Sequence, residues 1–199
     1  MVKKETKKFI DITPHRSLML KVGQTGYSLQ EALSELIDNS IDARIPSRKV
    51  EVKLDVTPKS IQISDNGTGM TEEEAANSIR LGFSKKKKQL GEFGMGLKTA
   101  STTLGKRFTV ITSPRGEPNE YVLTYDEDEW MKRGVWQRFP FTIRHGIEAD
   151  FSGTTVIVQD LKVKIDDLIV ESLKKEFGMR FGPFIKSKDL NLVVNGQKS

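Results

Sequence analysis

Apolar side chains recur at helical spacing over residues 28–43 and predict an amphipathic helix there. Ser28 is a suitable N-cap, and Glu31, three residues later, completes a capping box. At about 100° per residue, three polar side chains fall on a narrow arc beside the apolar stripe, whereas Ser34 and Asp38 are predicted to point towards solvent. The stripe consists of Leu29, Ala32, Leu33, Leu36 and Ile37, and the arc consists of Glu35, Asn39 and Asp42.

Strict alternation of apolar and polar residues predicts a strand over residues 50–56. Residues 57–60 form the expected turn, and Ile61 and Ile63 continue in a second strand. Asp65 is therefore expected at the end of a strand, followed at once by a glycine-containing loop.

Thr71 and the acidic residues after it predict the start of another helix. Residues 82–94 combine glycines with a lysine run and lack periodicity, which indicates a mobile loop before a helix over residues 95–104. Later patterns predict strands over 108–112, 121–125, 135–143, 154–158 and 190–194, and a helix over 166–177.

This order of elements predicts an α+β fold. We expect a two-layer α/β sandwich, in which helices cover one face of a mixed, mainly antiparallel sheet. Residues 1–160 are assigned to the main domain. Residues 161–199 are expected to be the start of a following, truncated domain, with a genuine terminal tail as the alternative.

Composition narrows the class of protein. The 199 residues include no cysteine, which excludes disulfides and thiolate metal sites and favours an intracellular, cytoplasmic location, with the nucleoid or nucleus as alternatives. No apolar run approaches the ~18 residues of a membrane span, so no membrane association is predicted. The formal charge of +5 is compatible with a polyanion such as DNA, and equally with a merely basic surface.

The polar arc of the first helix has the chemistry of a phosphoryl-transfer site. The amide oxygen of Asn39 suits Mg²⁺, which proteins hold with one or two groups plus phosphates and water. Glu35, one turn away, is a candidate general base that orients the attacking water. Asp42 is expected to orient neighbouring groups, although a structural role on the helix side is nearly as reasonable.

The loop after the second strand is a candidate adenine site. Asp65 can accept a hydrogen bond from the exocyclic amine of adenine, or it can simply cap a turn. Gly67 and Gly69 permit unusual backbone angles and a close approach of the base, against which Met70 would pack. Thr154, at the start of a late strand, is a candidate to place its hydroxyl near Asp65.

Gly91, Gly94 and Gly96 precede a helix, where free backbone N–H groups and the helix dipole favour phosphate. A dinucleotide-binding loop is the alternative, but no predicted strand runs into these glycines. Lys98 is a candidate to neutralise phosphate, as is Lys85 within the lysine run. Both could instead be solvated surface residues.

Residues 35–43 (ELIDNSIDA), 65–70 (DNGTGM) and 91–98 (GEFGMGLK) resemble three motifs of the GHKL superfamily. This superfamily includes type II topoisomerase ATPase subunits, heat-shock chaperones, histidine kinases and MutL-type repair proteins. The segment 81–105 is most similar to the microrchidia (MORC) ATPases. The resemblance covers residues 15–160 well and the remainder loosely.

The resemblance implies a Bergerat-type ATP site that uses ATP and Mg²⁺. It implies that Glu35 is the general base, that Asn39 holds magnesium and that Asp65 reads adenine. It further implies that the stretch from Ser84 to Lys98 folds over the phosphates, a stretch that also contains Phe93, Met95 and Leu97. ATP-driven lid closure, homodimerisation and action on DNA or on client proteins are also implied.

Three functions remain open at this point. The first is a slow, Mg-dependent ATPase module of a larger machine, and the second is a nucleotide-gated binding module with negligible turnover. A histidine kinase catalytic domain is less favoured, because kinases of that class typically lack the base glutamate found at Glu35. His15 and His145 have neither metal-site spacing nor the helical context of a phosphate acceptor.

Overall fold

A computed structural model describes residues 11–24, 26–46, 48–82, 96–148 and 150–198. The helices are α1 Ser17–Val22, α2 Leu29–Asp42, α3 Glu72–Ile79, α4 Gly96–Leu104, α5 Glu127–Arg133, α6 Asp167–Arg180 and α7 Gly182–Lys186. The strands are β1 Val50–Val56, β2 Ser60–Asp65, β3 Gly105–Ser113, β4 Asn119–Asp126, β5 Phe141–His145, β6 Gly153–Leu161, β7 Leu190–Val194 and β8 Gln197–Lys198.

The eight described strands form one mixed sheet in the order β5-β4-β3-β6-β2-β1-β7-β8. Neighbouring strands are antiparallel except for β1 and β7, which run parallel with Val52 opposite Leu192. The long strand β6 lies between β3 and β2. It therefore joins the β1–β2 hairpin to the antiparallel strands β3, β4 and β5. This position brings the start of β6 beside the end of β2.

One face of the sheet is buried beneath the helices. In β1 the apolar residues Val50, Val52, Leu54 and Val56 are buried, whereas the intervening charged residues are exposed. The apolar faces of α2, α4 and α6 join the same core. The predicted two-layer α+β sandwich is thus confirmed.

Helix α2 begins as its sequence predicts. The backbone N–H of Glu31 donates to Ser28 Oγ at 3.2 Å, and the backbone N–H of Ser28 donates to Glu31 Oε2 at 2.8 Å. These reciprocal bonds satisfy donors that a helix start leaves unpaired. The cap therefore sets where the polar edge of α2 begins.

Ser34 corrects one sequence-based expectation. Its side chain is buried, with 1% of the residue exposed, rather than directed to solvent. The reason is that α2 packs against both the sheet and α4, so more than one face of the helix is covered. Asp38 is partly exposed and pairs with Arg180 of α6 at 2.9 Å.

The strand predicted over residues 135–143 is also wrong in most of its length. Val135 and Arg138 form an isolated bridge that closes a turn, and β5 begins only after Pro140. Proline has no backbone N–H to donate to a ladder, so the strand cannot extend through it. The aromatic residues Trp136 and Phe139 pack instead on Trp130 of α5.

Helices α1, α5 and α7 are not among the sequence predictions. Strand β7 pairs with β1, so residues beyond 160 take part in the same sheet, and the domain boundary at 160 stays a prediction. In the part of the chain that the structure describes, no helix has the length and apolar character to cross a membrane.

Candidate functional site

A cavity of about 390 Å³ opens between α2, α3, the first turn of α4 and the adjoining ends of β2 and β6. Ten of the candidate site residues named from the sequence line it, and they come from four separate segments. They are Glu35, Asn39, Asp42, Asp65, Gly69, Met70, Gly96, Leu97, Lys98 and Thr154.

The polar edge of α2 forms one wall of the cavity. Glu35, Asn39 and Asp42 all face it, about one helical turn apart. The side-chain nitrogen of Asn39 is buried and has no hydrogen-bond partner among the described residues. A buried amide nitrogen without a partner costs free energy, so Asn39 carries an unsatisfied donor beside the cavity.

The first turn of α4 meets this wall at Glu35. Gly96 lies so close to the Glu35 carboxylate that a Cβ at position 96 would overlap Oε1 and stand 2.6 Å from Cδ. A side chain at position 96 would therefore displace the carboxylate from this position. The arrangement places an acidic side chain beside the N-terminal end of a helix.

Asp65 lies at the inner end of the cavity, where β2 ends. Its Oδ1 accepts hydrogen bonds from the backbone N–H groups of Gly67 at 2.9 Å and Thr154 at 3.2 Å. Burial raises the pKa of Asp65, while these bonds and the Ser40 hydroxyl oppose the shift. The carboxylate is thus held in a fixed orientation by three segments of the chain.

The glycine loop after Asp65 is fastened to the end of α2. Thr68 donates its backbone N–H to the carbonyl oxygen of Ala43 at 2.8 Å. Gly67 lies behind the cavity wall, where a Cβ would come within 2.6 Å of the same oxygen. Gly69 has φ +66° and packs against the backbone of Ser113, so both glycines are required by close approach.

Two threonines connect this loop to the sheet. The backbone N–H of Met70 donates to Thr112 Oγ1 at 2.9 Å, and Thr112 Oγ1 lies 3.0 Å from Thr154 Oγ1. Thr112 is buried and also donates to the carbonyl oxygen of Gly153 at 3.2 Å. This network fixes the positions of Met70 and Thr154 on the cavity wall.

Lys98 is buried rather than exposed at the helix surface, with 2% of the residue accessible. Its Nζ donates to the carbonyl oxygen of Ser78, in the last turn of α3, at 2.8 Å. Burial lowers the pKa of Lys98 to about 8. The side chain therefore joins α4 to α3 and brings a positive charge to the cavity.

The remaining phosphate-site candidates lie outside the described residues. These are Ser84, Lys85, Gly91, Phe93, Gly94 and Met95. Their roles stay predictions from the sequence.

Several residues at or behind the cavity wall were not predicted. Ser40, Asn77 and Ser78 line it, and Thr112 supports it from behind. Ser40 follows Asn39 directly in the sequence, but neither periodicity nor motif spacing distinguishes it. Thr112 acquires its role only because β3 pairs with β6 opposite Thr154.

The donor set fits Mg²⁺ bound together with phosphate. Among the described residues no group of three or more His, Cys, Asp or Glu side chains is arranged to hold a metal. Magnesium is usually bound through one or two protein groups, several waters and substrate phosphates. Asn39 lines the cavity, and its side-chain oxygen is a ligand that suits this mode.

Comparison with known proteins gives a family match over residues 27–154, described as "Histidine kinase-, DNA gyrase B-, and HSP90-like ATPase". ATPase morc-1 of Caenorhabditis elegans is 29% identical over 113 residues, which cover 55% of this chain and 13% of that protein. MORC family CW-type zinc finger protein 1 of Homo sapiens is 37% identical over 91 residues, covering 41% of this chain and 9% of that protein. Protein MICRORCHIDIA 4 of Arabidopsis thaliana is 34% identical over 95 residues, covering 43% and 12%.

These relatives are much longer than the chain, which spans only about a tenth of their length. The family match, in contrast, covers more than half of the 199 residues and includes the cavity-lining segments of α2, β2 and α4. At family level it supports ATP binding and ATPase activity. The chain therefore belongs to the histidine kinase-, DNA gyrase B- and HSP90-like ATPase family, and its sequence is similar to those of the MORC proteins.

Proposed function

We propose that this chain binds ATP with Mg²⁺ in the cavity between α2, α3 and α4 and hydrolyses it slowly. The observation that carries the proposal is the convergence of Glu35, Asn39, Asp65 and Thr154 on one cavity. These residues are separated by up to 119 positions in the chain, yet each offers a group that a nucleotide needs. A volume of about 390 Å³ is within the range of small-molecule sites.

Adenine binds at the inner end of the cavity. Asp65 accepts a hydrogen bond from the exocyclic amine, and the Thr154 hydroxyl, oriented by Thr112, contacts the edge of the ring. Met70 packs against the base. Because the Asp65 carboxylate is already held by two backbone N–H groups, little conformational freedom is lost when adenine binds.

The phosphates extend from the base towards the start of α4. The backbone N–H groups in the first turn of a helix lack intrahelical partners and attract anions. Lys98 is close enough to the cavity to add its positive charge. Asp42 orients water or neighbouring groups at the cavity mouth.

Hydrolysis requires a positioned water and charge compensation. Glu35 orients the water and accepts its proton. Gly96 allows the start of α4, where the phosphates are proposed to bind, to lie close to this carboxylate. The side-chain oxygen of Asn39 would hold a magnesium ion, which would neutralise charge on the phosphates. The chain's own residues thus supply the base, the metal ligand and the adenine acceptor.

In the full protein, we propose that ATP closes the predicted loop over residues 82–94 and drives homodimerisation. The similarity to MORC proteins and to a family that includes DNA gyrase B motivates this proposal. The formal charge of +5 is compatible with DNA as the partner, and we propose DNA rather than a protein client. The ATPase cycle would then couple the identity of the bound nucleotide to the affinity for DNA.

The test compares ATP binding and phosphate release, with Mg²⁺, for the native chain, Glu35→Ala and Asp38→Ala. Asp38 is an acidic residue on the same helix outside the cavity lining, and it serves as the matched control. We expect native affinity in both variants, with turnover reduced at least a hundredfold in Glu35→Ala alone. Loss of binding in Glu35→Ala, or full turnover in it, contradicts the assignment of the base.

The same measurements decide the alternative function. ATP binding without turnover in the native chain favours a nucleotide-gated binding module. Failure of the native chain to bind ATP refutes both proposals.

A further inference from the structure

The hydroxyl group of Thr112 lies directly behind that of Thr154, at the inner end of the cavity proposed to bind ATP. Thr154 lines the cavity, whereas Thr112, on the neighbouring strand β3, is buried with 1% of the residue exposed. The two residues stand opposite each other in the antiparallel pair of β3 and β6. Any effect of Thr112 on a bound nucleotide must therefore pass through the residues that it contacts.

Three contacts assign the single proton of the Thr112 hydroxyl. The backbone N–H of Met70, at 2.9 Å, can only donate, and the carbonyl oxygen of Gly153, at 3.2 Å, can only accept. The proton of Thr112 is therefore directed to Gly153, and one of its lone pairs receives the N–H of Met70. The second lone pair faces Thr154 Oγ1 at 3.0 Å. All three contacts are hydrogen bonds only if Thr154 donates its own proton to Thr112.

This assignment leaves the Thr154 hydroxyl with lone pairs, and no proton, for a ligand in the cavity. The neighbouring Asp65 carboxylate is also an acceptor, with about four lone-pair positions, and the N–H groups of Gly67 and Thr154 use only Oδ1. The hydroxyl of Ser40 finds its acceptors within the protein, in the Leu36 carbonyl oxygen at 3.2 Å and the Asp65 carboxylate. The inner end of the cavity therefore presents two adjacent hydrogen-bond acceptors.

We infer that Thr112 is a positioning residue that sets the base specificity of this site, by holding the Thr154 hydroxyl as an acceptor beside Asp65. An exocyclic amine fits two adjacent acceptors, because its one nitrogen carries two hydrogens. Adenine has such an amine, whereas hypoxanthine and guanine have a carbonyl oxygen at the same ring position. That oxygen would face two acceptors with no proton between them, which leaves polar groups unpaired. The inference rests on the proposed binding of ATP and adds what selects the base.

The experiment measures the equilibrium affinities of ATP and inosine triphosphate, with Mg²⁺, for the native chain and Thr112→Val. Inosine triphosphate has the carbonyl oxygen in place of the amine. We expect the native chain to prefer ATP by about a hundredfold or more. Valine keeps the shape of threonine but accepts no hydrogen bond, so the Thr154 hydroxyl becomes free to donate to the inosine oxygen. The preference for ATP should then fall about tenfold.

The ratio of the two affinities separates a role in specificity from a purely structural one. Thr112→Val also removes the acceptor of the Met70 N–H, but a displaced Met70 should weaken both nucleotides alike and leave their ratio unchanged. Thr112→Ser keeps the hydroxyl and should restore the native preference. Thr109→Val is the matched control, because Thr109 lies on the same strand, faces the other side of the sheet and contacts the Thr124 hydroxyl at 3.2 Å. It should keep the native ratio.

A double-mutant cycle tests whether Thr112 acts through Thr154. Thr154→Val removes the acceptor itself, so it should lower the preference for ATP by a similar factor. In that background, Thr112→Val should cause no further change in the ratio. A further fall would show that Thr112 acts by another route and would overturn the inference. Each variant is first checked for a native circular dichroism spectrum, and Thr112→Ala replaces Thr112→Val if the valine disturbs the fold.

Two failures are distinguishable in these titrations. If Thr112→Val binds ATP and keeps the native preference, the inference is overturned while the proposed function stands. If the native chain binds no ATP, the proposed function is refuted, and the inference falls with it.

Discussion

The carboxylate of Glu35 lies directly against Gly96 and occupies the space in which a Cβ at position 96 would lie. The approach joins the polar edge of α2 to the N-terminal end of α4, two elements separated by more than fifty residues. A side chain at position 96 would force the Glu35 carboxylate to move. The position of the proposed base and the path of the proposed phosphate site are set by the same contact.

Gly96→Ala is expected to displace the Glu35 carboxylate, because the added Cβ would overlap Oε1. ATP turnover should fall at least tenfold, with a smaller effect on binding, in paired measurements of phosphate release and equilibrium affinity. Gly178→Ala is the control, since nothing lies within 4 Å of a Cβ at that α6 position. Full turnover in Gly96→Ala would show that the geometry of this contact does not matter to hydrolysis.

Asp65→Asn is expected to weaken ATP binding by about tenfold to a hundredfold, the range for hydrogen bonds to a charged group. The asparagine presents one acceptor oxygen where the carboxylate presents two, and Oδ1 of Asp65 is already used by two backbone N–H groups. Asp38→Asn, at the partly exposed pair with Arg180, is the matched control. Unchanged affinity in a calorimetric titration of Asp65→Asn would remove Asp65 from the adenine site.

Lys98 should make the stability of the fold depend on alkaline pH. Burial lowers its pKa from 10.5 to about 8, so between these values the unfolded chain binds more protons than the folded chain. The free energy of unfolding therefore rises with pH through this window, by up to about 3 kcal/mol from this residue.

Lys98→Met should lack that rise, which urea unfolding at about pH 7 and pH 10 would measure. The exposed Lys175→Met is the control and should keep the native pH dependence. A native pH profile in Lys98→Met would mean that the ammonium is better solvated than its burial indicates.

The same variant loses the bond to Ser78 and the positive charge at the cavity, so its ATP affinity should also fall.

Ser28→Ala removes the side-chain acceptor of the α2 capping box. We expect a loss of about 1 kcal/mol in the free energy of unfolding, measured by urea titration. Ser172 is exposed to solvent and lies away from both ends of α6, so Ser172→Ala should change the free energy of unfolding by less. A loss as small as that of the control would mean that α2 is held by its packing on the sheet and α4 alone.

Local sequence signals were sufficient wherever the structure is itself local. The capping box of α2 depends on residues three apart, and the β1–β2 hairpin depends on alternation across a short turn. The same kind of signal was present for α5, where Asp126 accepts from the Glu129 N–H, but that helix has only seven residues. The predicted strand before Pro140 fails for a local reason as well, since the ring removes a ladder donor.

The three motifs by themselves determined which chemical groups this chain offers to the proposed nucleotide site, because residue type and spacing are properties of the chain. Only the tertiary structure decided which of those groups meet. Asp65 reaches Thr154 because β2 pairs with β6, and Lys98 turns inward to Ser78 because α3 packs against α4. The burial of Ser34 likewise arises from packing between distant segments, which no periodicity within one segment encodes.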